Sequence, residues 1–442
     1  MDNYDFYDAE TEFLKQDRRL DELLMGSLII EDIRSRPLIS RPTVDGVEIG
    51  DTIRAVSMTV CNLPRTKLNP NNFDFLRFAL AALVVFSHSF PLLQGNDSNE
   101  PLVQATGQLS LGMLAVNWFF VLSGFLITHS WLNKRDVPDY FRKRILRIFP
   151  AFVVAALFCV FVVGPLGSGD TVTYLKKLNP AEFLTMTALL RGYTAPGIFT
   201  SLPFPNAVNG SLWTVQYEFW CYLLVALLGF VGAFRRGVFP VVALTGATLL
   251  YSVQLWQGWE MGLGKAEQFI AGPQEWPRLL SYYLAGVVFY LYRDRIPLNV
   301  WGAIAASVIV LISAVFGAVV NLTLLVFGTY VLFYIAFHSR INLRGFGRYG
   351  DFSYGLYLYS FPIQQLLVQQ CHTLKAPFSL FLLALPLTIG IAVCSWYFVE
   401  KPFLRRKRRS SPRCEPVVSS ATTGTGVLGL EDNLLLATPM IG

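Results

Sequence analysis

The sequence predicts an all-α integral membrane protein, a bundle of about ten transmembrane helices with both termini in the cytoplasm. Three observations carry that prediction. Of 442 residues, 53% are hydrophobic and only 15% are charged, where soluble domains carry about a quarter charged residues. Apolar runs approaching the roughly 20 residues a helix needs to cross a bilayer recur along the chain. The basic residues sit mostly at the ends of those runs, so the net charge of +6 marks membrane orientation and gives no reason to expect nucleic acid.

Residues 1–72 are polar and mix acids with bases without an apolar stretch. They carry no signal-peptide pattern and read as a weakly ordered cytosolic extension. The transmembrane domain runs over 73–404, with spans near 74–93, 111–132, 148–166, 211–233, 237–256, 278–292, 298–316, 321–338, 351–370 and 377–399. The sixth is short, and only the stretch around Gly317 to Asn321 separates the seventh from the eighth. Residues 405–442 form a basic, then Ser/Thr/Gly-rich tail of disordered composition.

Alternating the spans from an inner N-terminus places twenty Lys and Arg in inner loops and tail and six in outer loops. This is the asymmetry of a positive-inside topology, here expected in the cell (inner) membrane. Two outer segments are long. Residues 167–210 contain an amphipathic stretch, Pro180 to Leu190, suited to the membrane surface. Residues 257–277 are edged by Trp256, Trp259 and Trp276, suited to interfacial anchoring. There is no internal repeat of the kind inverted-repeat transporters show. The six cysteines form no CxxC pair and no Cys/His cluster with metal spacing; they read as apolar fillers, with neither a disulfide framework nor a metal site expected.

Polar residues inside spans are costly and by default suggest function. In the first span Arg77 and His88 are eleven positions apart, about three turns, so they share a face with a rise of roughly 16 Å. Arg77 also reads as an anchor that snorkels to the interface, and His88 as a hydrogen-bonded packing residue. In the second span Ser123-Gly124 permits close helix approach, and Ser123 has no base assigned beside it. Arg144 and Arg147, three apart on one face, form a fork that binds phosphates or lipid headgroups. Glu218 is the only acid in the fourth apolar run, so it must be protonated or paired; His88, in the same outer half, is the partner expected. The ninth span, around Tyr357 and Ser360, is dense in hydroxyls and amides, and Glu400-Lys401 reads as a helix cap at the interface.

Taken in order these segments resemble the acyltransferase 3 family of integral membrane acyltransferases, from about Asn72 to Phe403. The R-x10-H signature is matched at Arg77 and His88, and FFVLSGFLI lies at Phe119 to Ile127. The RxxR element falls at Arg144 and Arg147, SLWTVQYEF surrounds Glu218, and SYGLYLYSFP and VEKPF match the last two landmarks. Many members carry a histidine where this chain has Ser360. The resemblance implies an O-acyltransferase that moves an acyl group, acetyl for choice, from cytoplasmic acyl-CoA to a hydroxyl of a surface or exported glycan or its lipid-linked precursor. Acyl-CoA is expected as co-substrate, with no permanently bound cofactor.

On that reading Arg77, Arg144 and Arg147 hold the donor's phosphates. His88, with a reference pKa of about 6.5, acts as base, and Glu218 orients it or the acceptor. Ser123, Trp213, Tyr217, Tyr357 and Ser360 are expected to bind substrate. Direct transfer and a transient acyl-His88 are both open. A transporter or lipid-linked sugar flippase is the alternative, but it does not account for a basic cytoplasmic fork aligned below a membrane histidine.

Overall fold

In a computed structural model the described residues are 43–44, 47–48, 72–133, 136–234, 237–258, 267–317, 319–338, 343 and 345–406. The expected extension and tail lie almost wholly outside them, apart from a pair of two-residue antiparallel strands, Thr43–Val44 and Val47–Glu48. So do Trp259, Lys265 and many of the counted inner charges, among them Lys134, Arg135, Arg235, Arg236, Arg340 and Arg344.

The described fold is otherwise helical, and a helix of 14 residues or more occupies each of the ten expected places. These are α1 (Phe73–Gln94), α2 (Leu111–Asn133), α3 (Val137–Gly167), α4 (Trp213–Phe230) and α5 (Val238–Gln257). They continue with α6 (Trp276–Tyr292), α7 (Val300–Ser313), α8 (Val319–Phe337), α9 (Ser353–Gln370) and α10 (Pro377–Arg405). Six of them, α1, α2, α3, α5, α8 and α10, are long and apolar enough to cross a membrane. Of the others, α6 and α7 are short, while α4 and α9 carry Glu218 and a row of Ser, Tyr and Gln side chains.

α3 begins eleven residues before the expected span. The side chain of Asp136 accepts from the Asp139 backbone N–H, and a proline follows in the first turn, the usual start of a helix. The basic segment Tyr140 to Arg147 is therefore helical and rigidly continuous with the apolar part, not a loop. A helix at Pro180–Ala188 coincides with the expected amphipathic stretch.

Helix directions follow from cross-contacts. Arg77 meets Asp351 and Gln364 donates to the Val85 carbonyl, so α1 and α9 run parallel. A Cβ on Gly112 would meet Ser87, and Phe73 packs on Phe125, so α2 runs opposite to α1. Ser123 meets Glu218, and Gly229 lies under the Trp131 ring, so α4 runs with α2. The tightest seam is between α2 and α6. A Cβ on Gly124 would strike the Tyr283 carbonyl, and one on Gly286 would strike the Val121 carbonyl. Only paired glycines allow this approach, which confirms the close-packing reading of Ser123-Gly124. Beside this seam Phe125, Phe289, Phe333 and Phe337 form an aromatic core. Leu249, Leu311, Ile312 and Phe398 face outward, exposed; an apolar surface of that extent fits lipid contact.

Candidate active site

α1, α2, α3, α4 and α9 line a cavity of about 140 Å³, partly continuous with the exterior. Arg77, near the start of α1, and Ser353, at the start of α9, line one end together with Arg144 and Arg147. Val116 and Thr214, near the starts of the oppositely directed α2 and α4, line the other. Ser123, Glu218, Tyr222 and Tyr357 line the wall as well. Six residues singled out from sequence thus share one cavity: Arg77, Ser123, Arg144, Arg147, Glu218 and Tyr357.

The three guanidinium groups are not equivalent. Arg147 donates to Asp351 at 2.5 Å and to Glu400 at 3.2 Å. Arg77 shares Asp351 at 3.6 Å and has Asp74 at 3.8 Å. Arg144 has no carboxylate partner among the described residues. It reaches Ser130 at 3.4 Å and lies over the Tyr140 and Tyr222 rings at 5.8 and 5.6 Å, with its Nε buried and unpartnered. Asp351 and Glu400 therefore offset most of the charge of Arg77 and Arg147, and Arg144 is the cation left for an anion entering the cavity.

Glu400 corrects an expectation. It is 2% exposed and ion-paired to Arg147, with Ser395 donating to it at 3.4 Å; it ties α10 to α3 and is not an interfacial cap. Its neighbour Lys401 lies over the Tyr397 ring.

Glu218 does not meet His88. One oxygen of Glu218 accepts from the Ser123 hydroxyl at 3.2 Å and from the Tyr222 hydroxyl at 2.5 Å. Ser123, expected to have no base beside it, therefore has a carboxylate. His88 is not among the residues lining the cavity. Its ring is edge-on to Phe361 at 5.3 Å, and its Nδ1 is buried without a hydrogen-bond partner among the described residues. The reason is axial distance. Phe361 lies one turn beyond Tyr357 on the parallel α9, and Tyr357 meets Thr214 at 2.6 Å across the far end of the cavity. The shared face of Arg77 and His88 is real, but the rise between them carries the imidazole past that hydroxyl pair.

The remaining predicted residues fall elsewhere. The Ser360 hydroxyl is buried and unpartnered among the described residues. Trp213 and Tyr217 belong to a cluster at the opposite end from the arginines. There the Tyr217 hydroxyl donates to the Gly272 carbonyl at 2.6 Å, and Arg278 lies over the Trp213 ring at 5.9 Å. Arg278 is itself fixed by Asn117 at 2.8 Å and by Glu275. Trp276, expected as an interfacial anchor, packs edge-on to Tyr217 in the same cluster. Asp351, Thr214, Tyr222 and Ser353 were not foreseen. Asp351 and Tyr222 could have been sought as the counter-charge and the aromatic shelf that buried guanidinium groups require.

Comparison with known proteins supplies independent findings. A family described as an acyltransferase domain matches residues 71–399. The chain is 26% identical over 358 residues to an O-acetyl transferase of Shigella phage Sf6, covering 78% of this chain and 98% of that protein. It is 28% identical over 369 residues to nodulation protein 10 of Rhizobium leguminosarum bv. viciae, covering 76% and 93%. A shorter match, 26% over 150 residues, is to the acyltransferase MdmB of Streptomyces mycarofaciens, covering 31% and 39%. No solved structure matches the chain.

Proposed function

Because the chain belongs to the acyltransferase family matched over residues 71–399, we propose that it is a membrane O-acetyltransferase carrying acetyl from cytoplasmic acetyl-CoA to a hydroxyl of a surface or exported glycan, or of its lipid-linked precursor. The observation that carries this reading is the composition of the cavity, which joins cations suited to a phosphorylated donor to a hydroxyl–carboxylate pair suited to acyl chemistry. The O-acetyl transferase similar to it over most of both chains supports acetyl as the group moved.

In this scheme all ten helices cross the cell (inner) membrane, both termini are cytoplasmic, and the arginine end of the cavity opens inward. Arg144 takes a donor phosphate, assisted by Arg77 on the same lining. The thioester then reaches Glu218, which accepts a proton, because a sugar hydroxyl is hardly ionised at neutral pH and needs a base. His88 serves the acceptor on the outer side of the Tyr357–Thr214 contact, close to Ser360, and the Trp213–Tyr217 cluster receives the glycan.

The test is to compare, by mass, the glycans of cells with and without the gene, and to follow thiol release from acetyl-CoA by the purified protein. The expected result is loss of one acetyl increment from a glycan, together with donor-dependent thiol release. His88→Ala should abolish glycan acetylation while leaving membrane insertion intact. Unchanged glycans and no thiol release would instead favour a transporter or lipid-linked sugar flippase. Full acetylation by His88→Ala would remove the histidine from the scheme.

A further inference from the structure

Three groups in the cavity wall form a chain that ordinary packing does not require. Ser123 donates to Glu218 at 3.2 Å, and Tyr222 donates to the same carboxylate oxygen at 2.5 Å. Tyr222 in turn lies beneath the Arg144 guanidinium. A hydroxyl within reach of a base that a third group orients is the arrangement of an activated nucleophile. All three line the cavity, and the roles within it separate by exposure: Tyr222 is buried, whereas Ser123 and Glu218 are half-buried. The Thr214 hydroxyl is committed to Tyr357, and Ser353 donates to Asp351, a carboxylate already ion-paired to Arg147 and Arg77, which leaves Ser123 as the aliphatic hydroxyl on Glu218.

Backbone rigidity points the same way. Gly124, the next residue, is pressed against the α6 backbone at Tyr283, so the position of Ser123 is fixed by the tightest helix contact in the fold. Nucleophiles need positions held to within a fraction of an ångström. Arg144, which has no carboxylate partner among the described residues, stands one aromatic ring away from this pair.

We infer that Ser123 is the nucleophile of a two-step transfer and carries the acyl group as an oxygen ester, with Glu218 as its base and Tyr222 as the group that positions Glu218. The inference rests on the acyl-transfer reading and specifies its first half. The Ser123 oxygen attacks the thioester carbonyl carbon while its proton passes to Glu218. The carbon–sulfur bond breaks, and the proton leaves with sulfur as the free thiol of coenzyme A. In the second half the acceptor hydroxyl attacks the Ser123 ester and gives its proton to Glu218. The Ser123 oxygen leaves and is reprotonated from Glu218, which restores the starting state. No electrons change hands and no further reactant is needed.

The experiment uses the purified full chain with acetyl-labelled acetyl-CoA and no acceptor, quenched in acid, digested and analysed by peptide mass. The expected result is one acetyl group on the peptide containing Ser123, formed in a burst that matches the thiol released. Ser123→Ala should lose the burst. Glu218→Gln, which keeps the shape but not the base, should slow it about 100-fold. Ser123→Cys should carry the acetyl as a thioester that hydroxylamine cleaves at neutral pH, giving a positive signal that a misfolded variant could not give. The inference is overturned if Ser123→Ala acetylates glycan at the wild-type rate. It is equally overturned if the label sits on His88, or if neither wild type nor Ser123→Cys is labelled while glycan transfer proceeds. Failure of the wild type to release thiol or acetylate any glycan is a separate outcome and would count against the acyl-transfer reading itself.

Discussion

At the scale of single residues, the arginines show how far charge spacing reaches and where it stops. Arg77, Arg144 and Arg147 were legible because guanidinium groups at the edge of an apolar run stand out. Their division of labour was not, because it depends on Asp351, just before α9, and Glu400, in α10, which arrive more than two hundred positions later in the chain. Arg147 holds two carboxylates and works as a tie between helices, whereas Arg144 has none among the described residues. Arg144→Ala should therefore raise the KM for acetyl-CoA by about 10- to 100-fold, the loss of a charge-assisted hydrogen bond to phosphate of about 1.5–3 kcal/mol, and leave the protein folded. Arg147→Ala strands Glu400, buried at 2% exposure, and should destabilise the fold by about 3 kcal/mol. Steady-state kinetics on Arg144→Ala and thermal unfolding of Arg147→Ala in detergent check the split. Equal effects of both changes on KM, with neither affecting stability, would refute it. His88 and Glu218 failed as a predicted pair for a related reason. Hydropathy placed them in the same half of the bilayer, but it does not resolve depth within that half: His88 packs on Phe361 beyond the Tyr357–Thr214 contact, whereas Glu218 lies one turn to the arginine side of it, with Ser123 and Tyr222.

At the scale of helices, apolar runs located all ten elements to within a few residues, except at the start of α3. There the basic segment hid a helix, since hydropathy reports solvent preference and not backbone conformation, while the signals for helix were Asp136 as cap and the proline after it. Among the described helices of 18 residues or more, α4 and α9 are the two that are not apolar enough to count as membrane-crossing, and they supply Glu218 and, apart from Ser123 on α2, the hydroxyls that line the cavity. The seam between α2 and α6 sets where Ser123 stands. Gly124→Leu or Gly286→Leu should drive a side chain into a facing backbone carbonyl, which cannot rotate away, and cost more than the usual 1–3 kcal/mol of overpacking. Gly390→Leu provides the control, because a Cβ there meets nothing within 4 Å. Size-exclusion profiles of fluorescent fusions should show the first two lost or aggregated and the third like wild type. If all three behave alike, close approach at this seam is not what the fold requires.

At the scale of the whole molecule, the fold sets the basic, carboxylate-braced end of the cavity at one end of the bundle and, outside the cavity at the other end, an aromatic cluster of Trp213, Tyr217 and Trp276 with Arg278. The proposed reaction needs this polarity, because it draws its donor from the cytoplasm and acts on a glycan bound for export. The positive-inside count assigns the arginine end to the cytoplasm, and the exposed segments on either side allow a direct check. Thr173 lies in the exposed helix Thr171–Lys177 of the segment before α4, predicted to be outside. Asp294, 81% exposed beside Arg293, follows α6 and is predicted to be inside. Single cysteines placed at these two positions, with the native cysteines changed to serine, should react oppositely with a membrane-impermeant thiol reagent. Thr173→Cys should label in intact cells, and Asp294→Cys only after the membrane is opened. The reverse pattern would turn the arginines to the side that holds no acyl-CoA, and donor binding by Arg144 would then be untenable however well the local geometry suits it. Labelling of both positions in intact cells would break the alternation between them and with it the ten-span topology. The orientation of the bundle thus decides whether the chemistry in its centre can be supplied at all.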